Sequence, residues 1–289
     1  MTFPRRVLFH LGALLFLVNA APALAWSDYG HRTISAIALA KVKPETRAAI
    51  TQLLAHQGLL ETPTCPAGTI EDASVWADCV KARSLRDRFS YQDAWHFQNI
   101  EVCKPFDLKA PCRGGNCISA QIERQIRLLK DKTVPERERV QALVLLVHLV
   151  GDLHQPLHDI DHDGDGGGNG RKTDYGIVHN ERMNLHTVWD RYLAERSITT
   201  PPGLVHAYPA AERAELAAGT IEDWSKDGWE IARNQTYPAA FGPDYCKMPK
   251  DKRGAISNAS IEALIPVVRS QVVKGGLRLA RLLDETLGS

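Results

Sequence analysis

The most constraining feature of this chain is an apolar segment at residues 140–153 that contains one histidine and one aspartate. The segment is VQALVLLVHLVGDL, and its polar residues of interest are His148 and Asp152. Their spacing of four places both side chains on one face of a helix. An isolated imidazole or carboxylate is costly to bury among leucine and valine side chains, and metal ligation removes that cost. The chain therefore needs a fold in which a buried helix presents this pair to a polar site.

Helical periodicity dominates the rest of the chain. Alternating runs of β-branched residues are nearly absent, and loops are expected at 62–68 and 159–180, the second containing GDGGGNG. No repeat or linker divides the sequence. We therefore predict one all-α, mostly helical domain over residues 26–289. The apolar positions tolerate a 3.6-residue period in segments 29–40, 44–54, 120–129, 136–153, 185–195, 209–233 and 257–287.

Residues 1–25 have the pattern of a secretory signal peptide. Arg5 and Arg6 give a positive start, an apolar run covers 7–18, and Ala-Leu-Ala at 23–25 fits a cleavage site. The flanking residues fit twin-arginine export poorly, and the apolar run is short for an uncleaved membrane anchor. We expect a secreted or periplasmic chain that begins at Trp26 and has no membrane anchor after processing.

Charge and cysteine content narrow the functional classes. The formal charge of the full chain is +1, and loss of Arg5 and Arg6 with the leader leaves −1. A near-neutral protein is not a general nucleic-acid-coating surface, so any polyanion site must be local. Six cysteines, all after the leader, indicate an oxidising compartment. The sequence has no CxxC motif, which disfavours a thiolate zinc site or a redox motif.

A second histidine–aspartate pair follows the first. His186 and Asp190 also have a spacing of four, and His158 lies just beyond the first helix, which Pro156 should stop. One such pair alone is more often a surface ion pair. Two pairs together with His158 favour a polynuclear metal site, because imidazole and carboxylate are natural zinc ligands.

Other polar residues near these pairs are expected to be bystanders. His154 points away from the shared helix face, and His162 lies in a polar, flexible segment. Asp161, Asp163 and Asp165 have the spacing of a calcium loop, but the twelfth position is not glutamate and no entering helix fits. The sequence therefore disfavours calcium at this loop.

Short motifs occur in a fixed order along the mature chain. They are Trp26, His31, Trp-Ala-Asp78, Trp-His96-Phe-x-Asn, His148-x-x-Gly-Asp152-x-x-Gln-Pro-Leu-His158 and Asn-Leu-His186-x-x-Trp-Asp190. Together they resemble the type I, single-strand-specific nucleases, which are secreted three-zinc enzymes of fungi, plants and bacteria. The resemblance covers nearly the whole mature chain and is weaker after the last motif.

This resemblance implies three Zn²⁺ ions per chain. In the family, the processed N-terminal residue chelates zinc through its α-amine and carbonyl oxygen, which explains why a mature chain would begin on a tryptophan. One buried zinc would be held by Asp78, His96, His148 and Asp152. A second would be held by Trp26 and His31, with Asp152 bridging the two ions. A third, more open zinc would be held by His158, His186 and Asp190.

The implied reaction is hydrolysis of phosphodiester bonds in single-stranded DNA and RNA. Two close cations lower the pKa of a shared water, so that a zinc-bridging hydroxide can attack phosphorus near neutral pH. Asp152, which would bridge the ions, is the expected catalytic carboxylate. The products would carry 5′-phosphates, and 3′-nucleotides would be dephosphorylated by the same site.

The resemblance also implies the substrate contacts. Phe97 stands where the family stacks an unpaired base, the alternative being a core phenylalanine. Asn99 stands where some members place aspartate against the base edge. Lys81 replaces a transition-state arginine of fungal members and keeps its charge without the bidentate fork, with Arg83 as a substitute. The loop at 161–180, longer and more glycine-rich than in fungal members, either reshapes the substrate rim or is flexible surface.

The cysteine pairing is open from the residues alone, although Cys112 and Cys117 bracket a short loop that a disulfide could close. The resemblance implies Cys112–Cys117 and Cys103–Cys246, leaving Cys65–Cys79. We expect a disulfide-stapled monomer.

Two alternatives to a nuclease are open. Zinc-dependent phospholipases C share the helical scaffold and the N-terminal tryptophan, but they use His-x-x-x-Glu where this chain has His186-x-x-x-Asp190. A secreted metal-binding protein without catalysis would need the ligands but no water-accessible third zinc.

Overall fold

Helices make up most of the computed structural model, which describes residues 26–288. The predicted signal peptide at 1–25 lies outside the described residues. The predicted all-α class is confirmed. The α-helices are α1 (Asp28–Lys41), α2 (Pro44–Ala55), α3 (Ile70–Cys79), α4 (Arg86–Phe89), α5 (Ile118–Lys130), α6 (Glu136–Leu153), α7 (Pro156–Asp159), α8 (Leu185–Thr187), α9 (Ala194–Thr199), α10 (Ala210–Leu216), α11 (Ile221–Ile231), α12 (Tyr237–Phe241) and α13 (Asn258–Leu287).

Among residues 26–288, no helix is both long and apolar enough to cross a membrane.

Short 3₁₀ and π segments and two pairs of short parallel strands connect these helices. The 3₁₀ segments are Gln57–Leu60, Ser90–His96, Arg113–Gly115 and Tyr245–Lys247, and the π segments are Val188–Leu193 and Ala232–Thr236. The strands are β1 (Ile100–Glu101), β2 (Ile160–Asp161), β3 (Thr173–Tyr175) and β4 (Gly254–Ile256), paired β1 with β2 and β3 with β4.

Helix α6 lies at the centre of the domain and spans the predicted segment 136–153 residue for residue. Every residue from Ala142 to Leu153 is buried. The helix packs against α1, α2, α3, α5 and α13. Each fully buried valine or leucine stabilises the fold by about 1.5–3 kcal/mol. This packing holds His148 and Asp152 on a rigid element.

Helix α3, which contains Asp78, is not predicted by the sequence periodicity. Its N-cap is Thr69, whose hydroxyl accepts a hydrogen bond from the Asp72 backbone N–H at 3.1 Å and donates to the Asp72 carboxylate at 2.9 Å. A threonine followed three residues later by an acidic residue is a helix-start motif. Helix α3 packs against α1 and α6, which brings Asp78 beside the histidine of α6.

The prediction of one helix over 209–233 is wrong. Helix α10 ends at Leu216, and Gly219 has a φ of 90°, in the region that favours glycine. Thr220 then begins α11 with a reciprocal capping box to Asp223. The apolar period continues through this break because both helices pack on the same core, so periodicity alone does not reveal it.

The strand pair β1–β2 joins the segment after His96 to the segment after His158. Ile100 pairs with Ile160 in parallel register. Two residues before this pair, the Gln98 backbone N–H donates to the His158 carbonyl at 2.9 Å. These bonds fix the relative position of two candidate ligands that are far apart in sequence.

Three disulfides fasten peripheral segments to this core. They join Cys65 to Cys79, Cys103 to Cys246 and Cys112 to Cys117, the pairs that the family resemblance implies. No cysteine within residues 26–288 is free. The Cys103–Cys246 bond links the segment after β1 to the segment before β4 across a sequence separation of 143 residues.

Removal of the long-range disulfide should destabilise the protein more than removal of the local one. In the Cys103→Ala/Cys246→Ala variant we expect a loss of about 2–5 kcal/mol in the free energy of unfolding, because a long loop gains the most entropy when opened. The matched Cys112→Ala/Cys117→Ala variant opens a separation of 5 residues and should lose less. Urea unfolding of both variants measures the order, and the reverse order would contradict the prediction.

Candidate metal centre

The predicted ligand residues lie in separate segments that converge on one buried site. Every one of these nine residues is less than a tenth exposed. Helix α6 supplies two of them, and the remainder lie on elements packed against it or on the segments that follow it. They are Trp26 before α1, His31 in α1, Asp78 in α3, His96 in a 3₁₀ segment, His148 and Asp152 in α6, His158 in α7, His186 in α8 and Asp190 in a π segment.

Asp152 lies at the centre of this cluster. Its carboxylate oxygens are 2.9 Å from His96 Nδ1, 3.0 Å from His148 Nε2 and 3.2 Å from His31 Nε2. Asp78 Oδ1 lies 3.8 Å from the same nitrogens of His96 and His148. These five side chains could hold metal ions on both sides of the Asp152 carboxylate.

A second group lies beside the first. His186 Nε2 is 3.2 Å from His158 Nε2 and 3.2 Å from Asp190 Oδ2. Gln155 donates a hydrogen bond from Nε2 to the other oxygen of Asp190 at 2.6 Å. The π segment that contains Asp190 fits a pattern in which such widened turns occur at functional sites.

The orientation of three imidazoles indicates that their free nitrogens are directed at cation sites. His148, His158 and His186 each direct Nδ1 at a backbone carbonyl, at 2.7, 2.5 and 2.7 Å. Because a carbonyl only accepts, Nδ1 carries the hydrogen and the opposite Nε2 of the neutral ring is a bare lone pair. The Nε2 atoms of His158 and His186 then face each other at 3.2 Å. A metal ion satisfies both lone pairs, and such carbonyl-oriented histidines are usual around metals.

Unpartnered polar atoms occur at the same place. Burial of such atoms without a hydrogen bond costs free energy that a bound cation would recover. Within residues 26–288 the cluster atoms that lack a hydrogen-bond partner are His31 Nδ1 and Nε2, His96 Nε2, Asp152 Oδ1 and Asp190 Oδ2. The donor set therefore fits a group of divalent cations with a preference for nitrogen and oxygen ligands.

The carboxylates of the first group are held in the charged form. Burial alone would raise the pKa of Asp78, but Lys81 and the histidines at 148 and 96 lower it to about 2. Burial would also raise the pKa of Asp152, but His148 and His158 outweigh this effect and hold the pKa well below its usual range. By contrast, burial raises the pKa of Asp190 well above its usual range, and a nearby cation would favour its ionised form.

Most of the histidines are held neutral, which is the form that binds metal. Burial, followed by the charge of Lys81, lowers the pKa of His96 to about 4. Burial and the neighbouring His158 lower the pKa of His186 to about 3. His148 differs, because Asp152 and Asp78 outweigh burial and raise its pKa. There a metal ion would take the place of a proton between the ring and the carboxylates.

The start of the described chain is anchored to the same site. The Ser27 backbone N–H donates to the Asp190 carbonyl at 2.7 Å, and the Trp26 side chain is fully buried. Gly151 allows α1 to approach α6, because a Cβ at this position would lie 2.6 Å from His31 Nδ1. The residue after Trp26 is thereby bonded to the backbone of the candidate ligand Asp190.

Comparison with known proteins identifies this arrangement. The S1/P1 Nuclease family model matches residues 26–288. The chain belongs to the S1/P1 nuclease family. It is therefore a nuclease, a hydrolase of phosphodiester bonds in nucleic acids.

Curated relatives agree with the family over nearly the full chain. Endonuclease 3 of Arabidopsis thaliana is 28% identical over 93% of this chain and 90% of its own length. Nuclease S1 of Aspergillus oryzae is 24% identical over 93% of this chain and 94% of its own length. Nuclease P1 of Penicillium citrinum is 25% identical over 91% and 98%. These names favour a nuclease over the phospholipase C and non-catalytic alternatives.

The predicted substrate residues of this S1/P1-family protein line a cavity at the metal-binding groups. The cavity has a volume of about 250 Å³, and its lining includes Lys81, Phe97, Asn99, His158 and His186. Lys81 Nζ donates to Asp78 Oδ1 at 2.6 Å. Residue 83, the substitute for this lysine, is an exposed arginine outside the cavity lining.

The residues from 96 to 100 alternate between buried and exposed positions. Residues 96, 98 and 100 are buried, whereas Phe97 and Asn99 are exposed. Asn99 has a φ of 47°, a left-handed conformation that asparagine tolerates better than most residues. Phe97, at 37% exposure, is therefore not a core phenylalanine. Both outward residues also line a neighbouring cavity of about 490 Å³.

Two of the expected bystanders are structural residues. His154 Nδ1 donates to the Val150 carbonyl at 2.7 Å, and its ring lies away from the metal-binding groups against Arg278. The expectation that His162 lies in a flexible polar segment is wrong, because only 1% of this residue is exposed. In the loop at 161–180, Arg171 is also buried, so this part of the loop packs into the fold.

Several groups that position the ligands escape sequence reasoning. The carbonyls of Ser74, His96 and Gly167 orient histidines, and a backbone acceptor has no sequence pattern. Gln155 donates a hydrogen bond to Asp190. This glutamine is part of the motif His148-x-x-Gly-Asp152-x-x-Gln, so its position between candidate ligands does indicate such a role.

Proposed function

We propose that this protein is a zinc-dependent endonuclease that hydrolyses single-stranded DNA and RNA to products with 5′-phosphates and also removes phosphate from 3′-nucleotides. The observation that carries the proposal is the pair of facing, unprotonated Nε2 atoms of His158 and His186 beside the Asp152 cluster, in a cavity that Phe97 also lines. Metal-binding groups and an exposed aromatic ring suit a phosphate and its unpaired base.

We also propose the processing and location of the chain. Removal of residues 1–25 would leave one nuclease domain over 26–289 that begins at Trp26, is secreted or periplasmic, and acts as a monomer. The Trp26 α-amine would then be available as a ligand beside His31. This assignment is supported by the hydrogen bond from the Ser27 backbone N–H to the Asp190 carbonyl, which joins the residue after Trp26 to a candidate ligand.

Three Zn²⁺ ions per chain fit the donor set. Zinc prefers nitrogen and oxygen donors such as imidazole and carboxylate, which are the donor types of the eight proposed side-chain ligands, and the N-terminal backbone would add an amine and a carbonyl. Bound zinc would supply Lewis acidity, activating water near neutral pH and neutralising charge on the leaving oxygen. The proposed groups are Asp78, His96, His148 and Asp152, then Trp26 and His31 with Asp152 bridging, and His158, His186 and Asp190.

The chain's own residues would orient the phosphate. Asp152 keeps its negative charge in the buried cluster and fixes the imidazoles around it. Lys81 lies in the cavity lining, close enough to Asp78 to share its charge between that carboxylate and a bound phosphate. An ammonium group acts as a point charge rather than a fork, so this lysine would stabilise developing charge without fixing two oxygens.

Selection of single strands would come from Phe97 and Asn99. A base can stack on the exposed phenyl ring only when it is unpaired, and such stacking is tolerant of sequence. The Asn99 amide both donates and accepts hydrogen bonds, so it can contact the edge of more than one base. Because these side chains point to the same side of the chain, one nucleotide can contact both.

Loss of the stacking ring should weaken substrate binding more than it slows chemistry. In Phe97→Ala we expect KM for a single-stranded oligonucleotide to rise about tenfold, since stacking on an aromatic side chain is worth about 1–3 kcal/mol per base. The zinc content and kcat should change little. Tyr91→Ala is the matched control, because this ring is 52% exposed and lies outside the cavity lining. An unchanged KM in Phe97→Ala would remove the residue from the proposed site.

The proposal is tested by a substrate panel with the processed protein. We expect cleavage of single-stranded DNA and RNA to 5′-phosphate ends, slower cleavage of duplex DNA, release of phosphate from 3′-AMP and no hydrolysis of phosphatidylcholine. Equal rates on single strands and duplexes would overturn the single-strand assignment. Products with 3′-phosphate ends would overturn the mechanism. Hydrolysis of the lipid without cleavage of nucleic acid would favour the phospholipase alternative.

A further inference from the structure

The loop at residues 161–171, here called the glycine loop, touches a candidate ligand through its backbone. The Gly167 carbonyl accepts a hydrogen bond from His186 Nδ1 at 2.7 Å. Gly167 has a φ of 63°, and a Cβ there would lie 2.1 Å from the Leu157 carbonyl oxygen. The loop is thus packed tightly between the segments that contain His158 and His186, and a shift of its backbone would rotate the His186 ring.

A buried carboxylate holds the glycine loop in this shape. Asp165 Oδ1 accepts from the backbone N–H groups of His162 at 3.2 Å and Gly168 at 3.0 Å. Asp165 Oδ2 accepts from Arg171 Nε at 3.0 Å and from the Tyr237 hydroxyl at 2.7 Å. Both oxygens are satisfied within the loop and its neighbours, so this carboxylate is a structural group rather than a calcium ligand.

A buried arginine ties the same loop to the rest of the fold. Arg171 is 2% exposed, and its guanidinium lies 2.6 Å from His162 Nδ1 and donates to the carbonyls of Pro249 at 3.3 Å and Lys250 at 2.9 Å. The Arg171 carbonyl accepts from the Leu185 backbone N–H at 2.9 Å, one residue before the candidate ligand. Burial of a guanidinium is costly, and here its donors join the glycine loop to the segment at 249–250.

We propose that Asp165, Arg171 and Tyr237 are positioning residues for His186 and thereby set the zinc affinity of the group formed by His158, His186 and Asp190. The inference rests on the proposed zinc sites and goes beyond them, because none of the three residues touches the metal-binding atoms. Groups that orient a ligating imidazole typically contribute about tenfold to a hundredfold to metal affinity.

The test compares zinc binding by the folded protein and three variants. Tyr237→Phe removes one hydroxyl, Arg171→Met removes the guanidinium, and Lys172→Met is the matched control. Lys172 is the next residue in the chain, but it is exposed and its ammonium group pairs with Glu181 at the surface. Zinc per chain and zinc affinity are measured by titration with a competing chelator, with thermal unfolding recorded alongside.

In both Tyr237→Phe and Arg171→Met we expect one of three zinc ions to bind about tenfold to a hundredfold more weakly, with the other two unchanged. The Lys172→Met variant should match the wild type. Three zinc ions of wild-type affinity in Tyr237→Phe, or equal weakening of all three, would overturn the proposal, and this holds even if Arg171→Met fails to fold. Zinc binding by the wild-type protein tests the proposed function separately, because a wild-type protein that binds no zinc would contradict the proposed sites themselves.

Discussion

Replacement of Asp152 by asparagine should reduce cleavage of nucleic acid at least about a thousandfold, because it removes the charge that the proposed zinc pair shares. The Asp152 carboxylate is fully buried and lies within 3.2 Å of His31, His96 and His148. Neighbouring histidines keep its pKa well below the usual range despite burial, so the wild-type side chain is anionic at neutral pH. Asparagine keeps the shape and loses the charge.

A second buried aspartate supplies the matched control for this variant. Burial raises the pKa of Asp159 well above its usual range, which favours the neutral form of its side chain. Asparagine resembles a neutral carboxylic acid and can still accept the hydrogen bond that Gln98 donates to Asp159 at 2.5 Å. Asp159→Asn should therefore keep activity and zinc, whereas Asp152→Asn should lose both zinc ions of the bridged pair. Wild-type rates in Asp152→Asn would contradict the assignment.

One extra residue before Trp26 should also have a large effect. The nitrogen of residue 26 then belongs to a peptide bond, where its electron pair is delocalised and no longer available to a metal. We expect loss of one zinc ion and at least about a hundredfold lower activity. The geometry leaves this nitrogen close to the site, because Trp26 is buried and the next residue is bonded to Asp190.

The control for this second prediction is removal of the extension from the same sample. A protease that cleaves directly before Trp26 should restore zinc content and activity together. The Trp26→Phe variant keeps the backbone donors and should retain the zinc ion even if packing weakens. Equal activity with and without the extension would show that the N-terminal amine is not a ligand.

The elements that the sequence predicts best are those whose patterns are long. Helix α6 agrees with its predicted range because an apolar run lies between Pro135 and Pro156, which mark its ends. The four-residue spacing of His148 and Asp152 is a property of any helix, so their juxtaposition follows once the helix is assigned. His186 and Asp190 have the same spacing, and His158 follows the proline that ends the first helix. The remaining ligands depend on the family resemblance, since single residues such as His31 have no local pattern.

The features that escape prediction depend on tertiary contacts. The pair β1–β2 has two residues in each strand, which is too short for an alternating pattern to be visible. Arg171 and His162 resemble surface residues in a glycine-rich loop, and only the fold reveals that they are buried. The break in the predicted helix at 209–233 depends on the local conformation of Gly219, which the shared apolar period conceals.

The central claim is that a three-zinc site cleaves single-stranded nucleic acid, and one measurement tests it most directly. Zinc bound per chain is counted by native mass spectrometry on protein that begins at Trp26, and cleavage of single-stranded DNA is followed as zinc is removed and returned. We predict three zinc ions, loss of cleavage on their removal, and recovery on their return. Full cleavage by zinc-free protein, or three bound zinc ions without cleavage, would contradict the account.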